Sequence, residues 1–312
     1  MSRALVTGGA GFIGRHLVQA LIDRGLDVLV LDNLSWGSRE ALLQIRGVEL
    51  VEGDAADLPQ VLGRHGSFTH VFHLAALISA YESLEKPDDY LKANVTGLLR
   101  LIDFCRSLAS PRLVFASTSG VYGNTTAATK RELDVPAPAT VYAATKLTGE
   151  HLLHMYRERV GYDDVSLRFF NVYGPGQSPK HPYANVTCRF SRAAALGAGV
   201  ELFGDGQQTR DFVYVSDVVD AILAVAFGPV KGRVYNVGTG QDVAIASLLE
   251  RVQRLGGRSI GVERHAAWRN DIRHIRADIS AITADHGFAP RVTLDEGLAS
   301  TIEFFKRVGD AY

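Results

Sequence analysis

The sequence has few of the residues that would indicate a secreted, membrane or metal-binding protein. Only two cysteines, Cys105 and Cys188, occur among 312 residues, and neither has metal-ligand spacing. No apolar run approaches the ~20 residues needed to span a bilayer, and the N-terminal residues lack a signal-peptide pattern. The net charge of −1 offers no basic surface for nucleic acid or anionic lipid. These absences predict a cytoplasmic protein with a small-molecule ligand, no metal, no nucleic-acid partner and no membrane association.

Short apolar runs alternate with amphipathic helical patterns along the first half of the chain. This alternation predicts an α/β fold, a Rossmann-type doubly wound parallel sheet with helices on both faces. Strands are predicted at 3–7, 27–31, 48–52, 70–74, 112–116 and 165–169, and helices notably at 12–24, 88–108 and 141–159.

The rhythm of the sequence changes after Gly174-Pro175-Gly176, where loops lengthen and glycine and proline become more frequent. This change predicts a smaller C-terminal substrate-binding lobe. We expect the first lobe to cover 1–174 and to be re-entered at about 211–238. The range 175–312 then builds mainly the second lobe.

The N-terminal glycines follow a predicted strand and open a predicted helix, which is the context of a dinucleotide-binding turn. Gly8, Gly11 and Gly14 allow a tight turn, and the helix N-terminus offers N–H groups and a positive dipole end to a pyrophosphate. Asp32 ends the second strand, where a carboxylate can accept both ribose hydroxyls of NAD and repel the 2′-phosphate of NADP. The pattern therefore predicts bound NAD, although Asp32 alone could be an ordinary turn residue.

Two further segments are predicted to line the cofactor site. Asp54 follows the third strand, where it would either accept from the adenine amino group or cap a helix. Small residues after the fourth strand leave room for the cofactor, and His73 there is expected to be a packed, hydrogen-bonded histidine. The residues predicted to contact the cofactor are Gly8, Gly11, Phe12, Ile13, Gly14, Asp32, Asn33, Asp54, Ala55, Leu74, Ala75, Ala76, Tyr142 and Lys146.

The predicted catalytic residues are Tyr142, Lys146 and Thr118. Tyr142 and Lys146 lie one turn apart on the predicted helix 141–159, so their side chains share a face. An adjacent ammonium and the nicotinamide charge are expected to lower the phenol pKa, which is ordinarily near 10. A phenolate can then take a proton from a substrate hydroxyl as hydride leaves the same carbon. Thr118, or a neighbouring serine, would relay the proton or orient the substrate, unless local backbone satisfies these hydroxyls.

These segments resemble the extended short-chain dehydrogenase/reductases, in particular the nucleotide-sugar epimerase/dehydratase family, over essentially the whole chain. The resemblance implies NAD as cofactor, a UDP-sugar in the second lobe and a homodimer. It is strongest to enzymes that interconvert UDP-glucose and UDP-galactose, which implies inversion at C4 through a transient 4-keto sugar. The segments that carry it are 7–14, 32–34, 73–76, 117–123, 142–146, 168–175 and 204–212.

The resemblance also implies the substrate contacts. Asn171 matches a residue at the diphosphate–sugar region, Asn185-Val186 a backbone segment near the phosphates, and Phe203 a residue near the nucleobase. Arg210 matches an arginine that binds the diphosphate, with a surface salt bridge as the alternative. Trp268 stands where the family often has an arginine, three residues before Asp271, and Arg269 could replace that arginine one position out of register. Ile275 resembles a position near the sugar C2 substituent, where its intermediate size would favour plain hexoses. The predicted substrate-binding residues are Thr118, Ser119, Asn171, Asn185, Val186, Phe203, Arg210 and Asp271.

Two other functions remain open from the sequence. The first is a 4-ketoreductase, decarboxylase or dehydratase on the same scaffold. Gly120 stands where dehydratases and decarboxylases of the family resemble each other in carrying glutamate, and Ser119 replaces an aspartate, which argues against 4,6-dehydration. The second, more remote, is a non-catalytic NAD or sugar sensor, which would have no need of Tyr142, Lys146 and Thr118.

The expected homodimer also has a basis in the two longest predicted helices, 88–108 and 141–159. In the family these helices pair across a two-fold axis as a four-helix bundle. They carry apolar residues beyond what one sheet face needs: Leu98, Leu101, Ile102, Leu152, Leu153 and Met155.

Overall fold

The structure is a computed structural model that describes residues 2–62, 67–179, 184–267 and 273–309. Its strands are β1 (Arg3–Thr7), β2 (Asp27–Asp32), β3 (Val48–Glu52), β4 (His70–His73), β5 (Arg112–Thr118), β6 (Thr129–Lys130), β7 (Asp163–Phe169), β8 (Asn171–Tyr173), β9 (Val200–Phe203), β10 (Thr209–Arg210), β11 (Phe212–Tyr214), β12 (Val234–Val237), β13 (Val243–Ala244), β14 (Val262–His265) and β15 (His274–Ala277).

The α-helices are α1 (Phe12–Asp23), α2 (Arg39–Leu43), α3 (Leu58–Leu62), α4 (Glu82–Glu85), α5 (Pro87–Tyr90), α6 (Gly97–Cys105), α7 (Val141–Val160), α8 (Val186–Leu196), α9 (Val215–Phe227), α10 (Ile245–Gly256), α11 (Ser280–His286) and α12 (Leu294–Val308). Short 3-10 turns cover Ala55–Asp57 and Ser119–Tyr122. Within the described ranges, every helix is too short or too polar to cross a lipid bilayer.

A large sheet organises the fold. In the part of the chain that the structure describes, it has seven strands in the order β12-β7-β5-β4-β1-β2-β3, and all adjacent pairs are parallel. Its inner strands are buried on both faces, because helices cover each side as parallel sheets require. Leu5 packs with the α6 and α7 side, whereas its neighbour Val6 packs with α1 and α9. The predicted Rossmann-type, doubly wound sheet is therefore confirmed.

The C-terminal half contributes to both parts of the molecule. Helix α9 covers the large sheet, and β12 extends it by pairing with β7. Helices α8, α10 and α12 surround a separate apolar cluster that includes Phe190, Leu248 and Ile302. The smaller sheet β13-β10-β15-β6 also takes in Thr129–Lys130 from the N-terminal half. The division into lobes at residue 174 stays a prediction.

The predicted helix 88–108 is interrupted. It consists of α5, a π-helical turn at Leu91–Thr96, and α6. Asn94 in this turn is buried and points its amide away from the helix, accepting from Leu77 N at 2.8 Å and donating to Leu77 O at 2.9 Å and Thr145 Oγ1 at 3.0 Å. π-helical turns of this kind are common at functional sites. Local periodicity does not reveal them, because the partners of Asn94 are distant in sequence.

The apolar residues that suggested a dimer are mostly used within the single chain. Leu98, Leu101, Ile102 and Leu153 are at most 2% exposed and pack on the sheet in one core cluster. For these four residues the prediction of a surplus beyond one sheet face is wrong, because that face already buries them. Met155 alone among those named is strongly exposed, at 64%.

Candidate active site

A cleft of about 780 Å³ opens at the carboxyl ends of the large sheet. This is the edge at which parallel α/β sheets bind ligands. The structure brings most of the predicted site residues together on its walls. Those that line it are Gly8, Gly11, Phe12, Ile13, Gly14, Asp32, Asn33, Asp54, Ala55, Leu74, Ala75, Ala76, Thr118, Tyr142, Lys146, Asn171 and Asn185.

The glycine turn has the close packing that a dinucleotide cradle requires. Gly8 has φ +75°, and a Cβ there would lie 2.6 Å from Ala75 N. A Cβ on Gly14 would lie 2.7 Å from Gly9 Cα, so side chains would force the turn away from the helix. Gly11 begins α1 without a side-chain cap, which leaves the helix N-terminus to face the cleft. These features fit a bound pyrophosphate.

Asp32 forms the wall of the cleft beyond this turn. It is 8% exposed, and its two oxygens accept from Ala10 N at 2.9 Å and Leu34 N at 2.8 Å. Burial raises the pKa of Asp32, and these two bonds act in the opposite direction. Each oxygen keeps a further lone pair, so the carboxylate can still accept ribose hydroxyls. The arrangement fits bound NAD. Asp32 also has a structural role, because it binds the backbone at Ala10 and Leu34.

The next wall of the cleft is formed by Asn33 and Asp54. Asn33 donates to Asp54 Oδ2 at 3.0 Å, and the other oxygen of Asp54 accepts from Ala56 N at 2.8 Å. Asp54 thus caps the short turn at Ala55–Asp57, the alternative that its sequence position left open. A contact between Asp54 and adenine stays a prediction.

His73 is a packed histidine, as predicted. It is 1% exposed, and its Nδ1 lies 2.7 Å from Thr7 Oγ1. Its ring stacks on Phe115 with centroids 5.9 Å apart. Burial, with a smaller contribution from the charge of Lys146, lowers the pKa of His73 to about 3. The imidazole is therefore neutral in the folded protein.

Acidification should destabilise the protein through His73. In the unfolded chain this residue takes up a proton below its ordinary pKa of 6.5, whereas the folded chain resists protonation down to about 3. The free energy of unfolding should therefore fall by about 1.4 kcal/mol per pH unit as pH drops through that window. Urea unfolding at about pH 7.5 and about pH 5 should show a loss roughly 2 kcal/mol larger for the wild type than for His73→Asn, which does not titrate. Equal losses would contradict a buried neutral imidazole.

Tyr142, Lys146 and Thr118 line the same cleft. The hydroxyl of Thr118 is hydrogen-bonded to the phenol of Tyr142 and also accepts from Gly120 N at 3.1 Å. Lys146 is 3% exposed, and its Nζ lies 4.8 Å from the centroid of the Phe115 ring. The predicted grouping of a phenol, an ammonium and a hydroxyl is thus present.

The groups of the protein alone do not lower the pKa of Tyr142 as expected. Burial raises the pKa of Tyr142 to about 12, and only the Thr118 hydrogen bond opposes it. Burial also lowers the pKa of Lys146 to about 7. Desolvation penalises both charged forms, so the lysine does not by itself hold a phenolate at neutral pH. The expectation from the i, i+4 spacing was incomplete because spacing does not report burial.

Several residues around the cleft were missed from the sequence. Trp36 is 50% exposed at the Asp32 end, and Leu77 and Ala93 line the wall near Tyr142. Asn94 holds the Leu77 segment and Thr145 together, as described above. The one available signal was a polar Asn94 inside an otherwise apolar helical pattern.

The other predicted substrate residues do not line the cleft or lie outside the described residues. Among the described residues, Ser119, Val186, Phe203 and Arg210 are not in the cleft lining. Ser119 begins a 3-10 turn, and Val186 begins α8 directly after Asn185. Phe203 stacks on His265 with centroids 5.0 Å apart, and Arg210 donates to Thr209 O at 2.8 Å. Asp271, Trp268 and Arg269 lie outside the described residues.

The two asparagines that do reach the cleft have backbone tasks as well. Asn171 Nδ2 donates to Asp211 O at 3.3 Å, and Asn185 Nδ2 donates to Val172 O at 2.7 Å. Asn185 also caps α8 by accepting from Cys188 N at 3.1 Å. Both side chains are therefore held in place at the cleft wall.

The predicted place of Ile275 near the sugar C2 substituent stays a prediction. Ile275 is 3% exposed and packs in a cluster with Val121, Tyr122 and Phe170. On β15 the side chains alternate, so His274 and Arg276 are turned outward while Ile275 faces the core. The expected preference for plain hexoses over N-acetylhexosamines likewise stays a prediction.

Comparison with known proteins identifies the family. Residues 4–238 match the NAD dependent epimerase/dehydratase family. The UDP-glucose 4-epimerase of Mycolicibacterium smegmatis is 39% identical, over 97% of this chain and 98% of that protein. The crystal structure of Thermus thermophilus UDP-glucose 4-epimerase in complex with NAD has a TM-score of 0.90 at 37% identity, covering 97% and 99% of the two chains. That of the Thermotoga maritima UDP-glucose 4-epimerase with UDP-glucose has a TM-score of 0.92 at 33% identity, covering 98% and 99%.

Proposed function

The chain belongs to the NAD-dependent epimerase/dehydratase family, and we propose that it is an NAD-dependent epimerase that inverts C4 of a UDP-hexose. The observation that carries this proposal is the meeting of Tyr142, hydrogen-bonded to Thr118, with Lys146 in the cleft that the glycine turn and Asp32 also line. Similarity to UDP-glucose 4-epimerases over nearly the full chain supports the same reaction.

Different residues of the chain bind the cofactor and transfer the proton. The turn at Gly8–Gly14 and the N-terminus of α1 would hold the pyrophosphate of NAD, and Asp32 would accept its ribose hydroxyls. When bound, NAD supplies reversible hydride acceptance at C4 of the sugar. Tyr142 takes the proton of the C4 hydroxyl and later returns it, with Thr118 orienting both hydroxyls. Because the pKa of Tyr142 is raised by burial, its ionisation depends on positive charge added by the bound cofactor.

The sugar nucleotide is proposed to extend from Tyr142 towards the second lobe. Asn171 and Asn185 are on the cleft wall and suit the diphosphate–sugar region. The backbone at Val186, the ring of Phe203, Arg210 and Asp271 stay proposed contacts to the nucleotide, and Ser119 to the sugar. Arginine would bind the diphosphate through charge-assisted hydrogen bonds.

One assay tests this function. Purified protein is incubated with UDP-glucose, UDP-galactose, UDP-glucuronate and UDP-N-acetylglucosamine without added cofactor, and the products are followed by mass spectrometry and NMR. We expect the C4 epimer of a UDP-hexose at unchanged mass, with NAD released on denaturation. Loss of water or CO₂ would indicate a dehydratase or a decarboxylase, and binding without turnover would indicate a sensor.

Asp32 should select NAD over NADP. Asp32→Asn keeps an acceptor near the turn but removes the negative charge that repels a 2′-phosphate. We expect NAD to bind roughly 10-fold more weakly, the low end of the range for hydrogen bonds to charged groups, and NADP to bind more tightly than in the wild type. Titration of both cofactors against both proteins measures this. A wild-type protein that prefers NADP would contradict the assignment.

We also propose that the protein is a homodimer formed through α7 and the α4–π-turn segment beside it. Met155 on α7, Leu84 on α4 and Leu91 in the π-turn are 64%, 58% and 48% exposed. These elements contact one another, so the three exposed residues lie on neighbouring elements. Exposed apolar residues of this kind are commonly buried when two protein chains associate.

The dimer can be tested by substitution at this surface. Combining Leu91→Glu with Met155→Glu places charges in the proposed interface, and we expect a monomeric mass by light scattering at micromolar concentration. The matched control is Leu133→Glu, because Leu133 is 97% exposed on a loop and should leave the dimer intact. A monomeric wild type would refute the interface.

A further inference from the structure

A buried carboxylate lies behind the reactive tyrosine on the same helix. Glu150 follows Lys146 by one turn of α7 and Tyr142 by two, and it is 7% exposed. It accepts from Ser117 Oγ at 2.5 Å and from Arg168 Nε and Nη2 at 3.0 and 2.7 Å. All of these partners are buried, at 3% and 4% exposure for Ser117 and Arg168. One side chain thus uses both oxygens to bind two other elements.

The two partners of Glu150 stand side by side in the sheet. Ser117 on β5 and Arg168 on β7 are register partners across these parallel strands. Glu150 therefore attaches α7 to both strands at a single level. The next residue of β5 is Thr118, whose hydroxyl is bonded to Tyr142. A closed circuit results, which runs along α7 from Tyr142 to Glu150, across to Ser117, and back through Thr118.

The charge of Glu150 is compensated by Arg168. The guanidinium lies 4.8 Å from the centroid of the Tyr122 ring and donates to Glu132 O at 3.3 Å, so it is held on several sides. A buried ion pair is often no more stabilising than apolar residues of similar size. A two-point arginine–carboxylate contact does impose a defined geometry. The position of this pair beside the reactive groups points to a geometric role.

We propose that Glu150 is a positioning residue, which fixes the phenol of Tyr142 against the hydroxyl of Thr118 by tying α7 to β5 and β7. The proposal rests on the epimerase function given above. Proton transfer depends strongly on such placement, since a displacement of about 1 Å can cost about 10²-fold in rate.

The informative variant is Glu150→Asp. It keeps the negative charge opposite Arg168 but is one methylene shorter, so it cannot reach both strands from the present helix position. We expect kcat to fall about 10-fold or more, with KM for the UDP-hexose, the NAD content and the shape of the pH profile close to wild type. A purely structural role would lower the melting temperature and leave kcat per NAD-loaded molecule unchanged.

The matched control is Tyr162→Phe. It removes a buried bond from Tyr162 Oη to Leu153 O of α7 at 2.8 Å, which lies outside the contacts of Glu150 with Ser117 and Arg168. We expect its kcat to match the wild type. If Glu150→Asp does not fold, Ser117→Ala removes one anchor and leaves the ion pair. A severalfold fall in its kcat at unchanged KM is then expected, and no change would overturn the proposal.

A second readout does not depend on turnover. The Thr118 bond lowers the pKa of Tyr142, so misplacement of the phenol should raise it. Tyrosinate absorbance at a fixed alkaline pH, taken as the difference between each protein and the same protein carrying Tyr142→Phe, should be smaller for Glu150→Asp than for the wild type. Equal signals together with an unchanged kcat would overturn the proposal. If the wild type shows no epimerase activity, the proposed function fails separately, and the absorbance comparison still decides the role of Glu150.

Discussion

Replacing Tyr142 with phenylalanine should lower turnover of UDP-hexose at least ~10³-fold, because a positioned proton-transfer group contributes about 10²–10⁴ in rate. Phenylalanine keeps the ring and its packing and removes only the hydroxyl bonded to Thr118. The fold, the NAD content and the affinity for UDP should therefore stay near those of the wild type. The rate is measured as UDP-galactose formed per NAD-loaded molecule.

Tyr156→Phe is the control for this substitution. Tyr156 lies on the same helix and packs against the edge of the core cluster. Along the helix it follows Leu153, whereas Tyr142 and Lys146 precede Leu153. It should keep full activity if the effect belongs to the Tyr142 hydroxyl. Retention of more than a tenth of the wild-type rate by Tyr142→Phe would remove Tyr142 from the mechanism.

The second large effect is expected at Gly14. A Cβ on residue 14 would press on the backbone of Gly8 and Gly9, which cannot move without opening the turn. Gly14→Ala should therefore weaken NAD binding roughly 100-fold, equivalent to about 3 kcal/mol, the upper end of ordinary overpacking costs. NAD released from the purified protein and the dissociation constant by titration report the effect.

Gly261→Ala separates a backbone clash from a general effect of replacing glycine. A Cβ at Gly261 would meet nothing within 4 Å among the described residues, so this change should leave NAD binding as it is. Normal NAD content in Gly14→Ala would show that the turn can open without cost and that the cradle assignment is wrong.

The sequence by itself determined which segments of the cofactor half form strands, and it contained the groups that are predicted to react. These depend on local patterns, since each strand of a doubly wound sheet reads as an apolar run and each helix as a 3.6-residue period. The glycine turn, Asp32 at the end of β2, and the Tyr142–Lys146 pair are also contained within short segments. Their meeting in one cleft follows because parallel strands place their carboxyl ends at one edge.

Only the tertiary structure decided the properties that depend on burial and on distant partners. Desolvation sets the pKa of Tyr142 at about 12 and that of Lys146 at about 7, and no spacing rule contains it. Leu98 on α6 and Ile275 on β15 are both buried in the core. Ile275 is buried because strand pairing assigns each side chain of a strand to one face of the sheet. The contacts of Glu150 with Ser117 and Arg168 depend likewise on the register of β5 against β7. This pairing joins segments about 50 residues apart, and no local pattern encodes it.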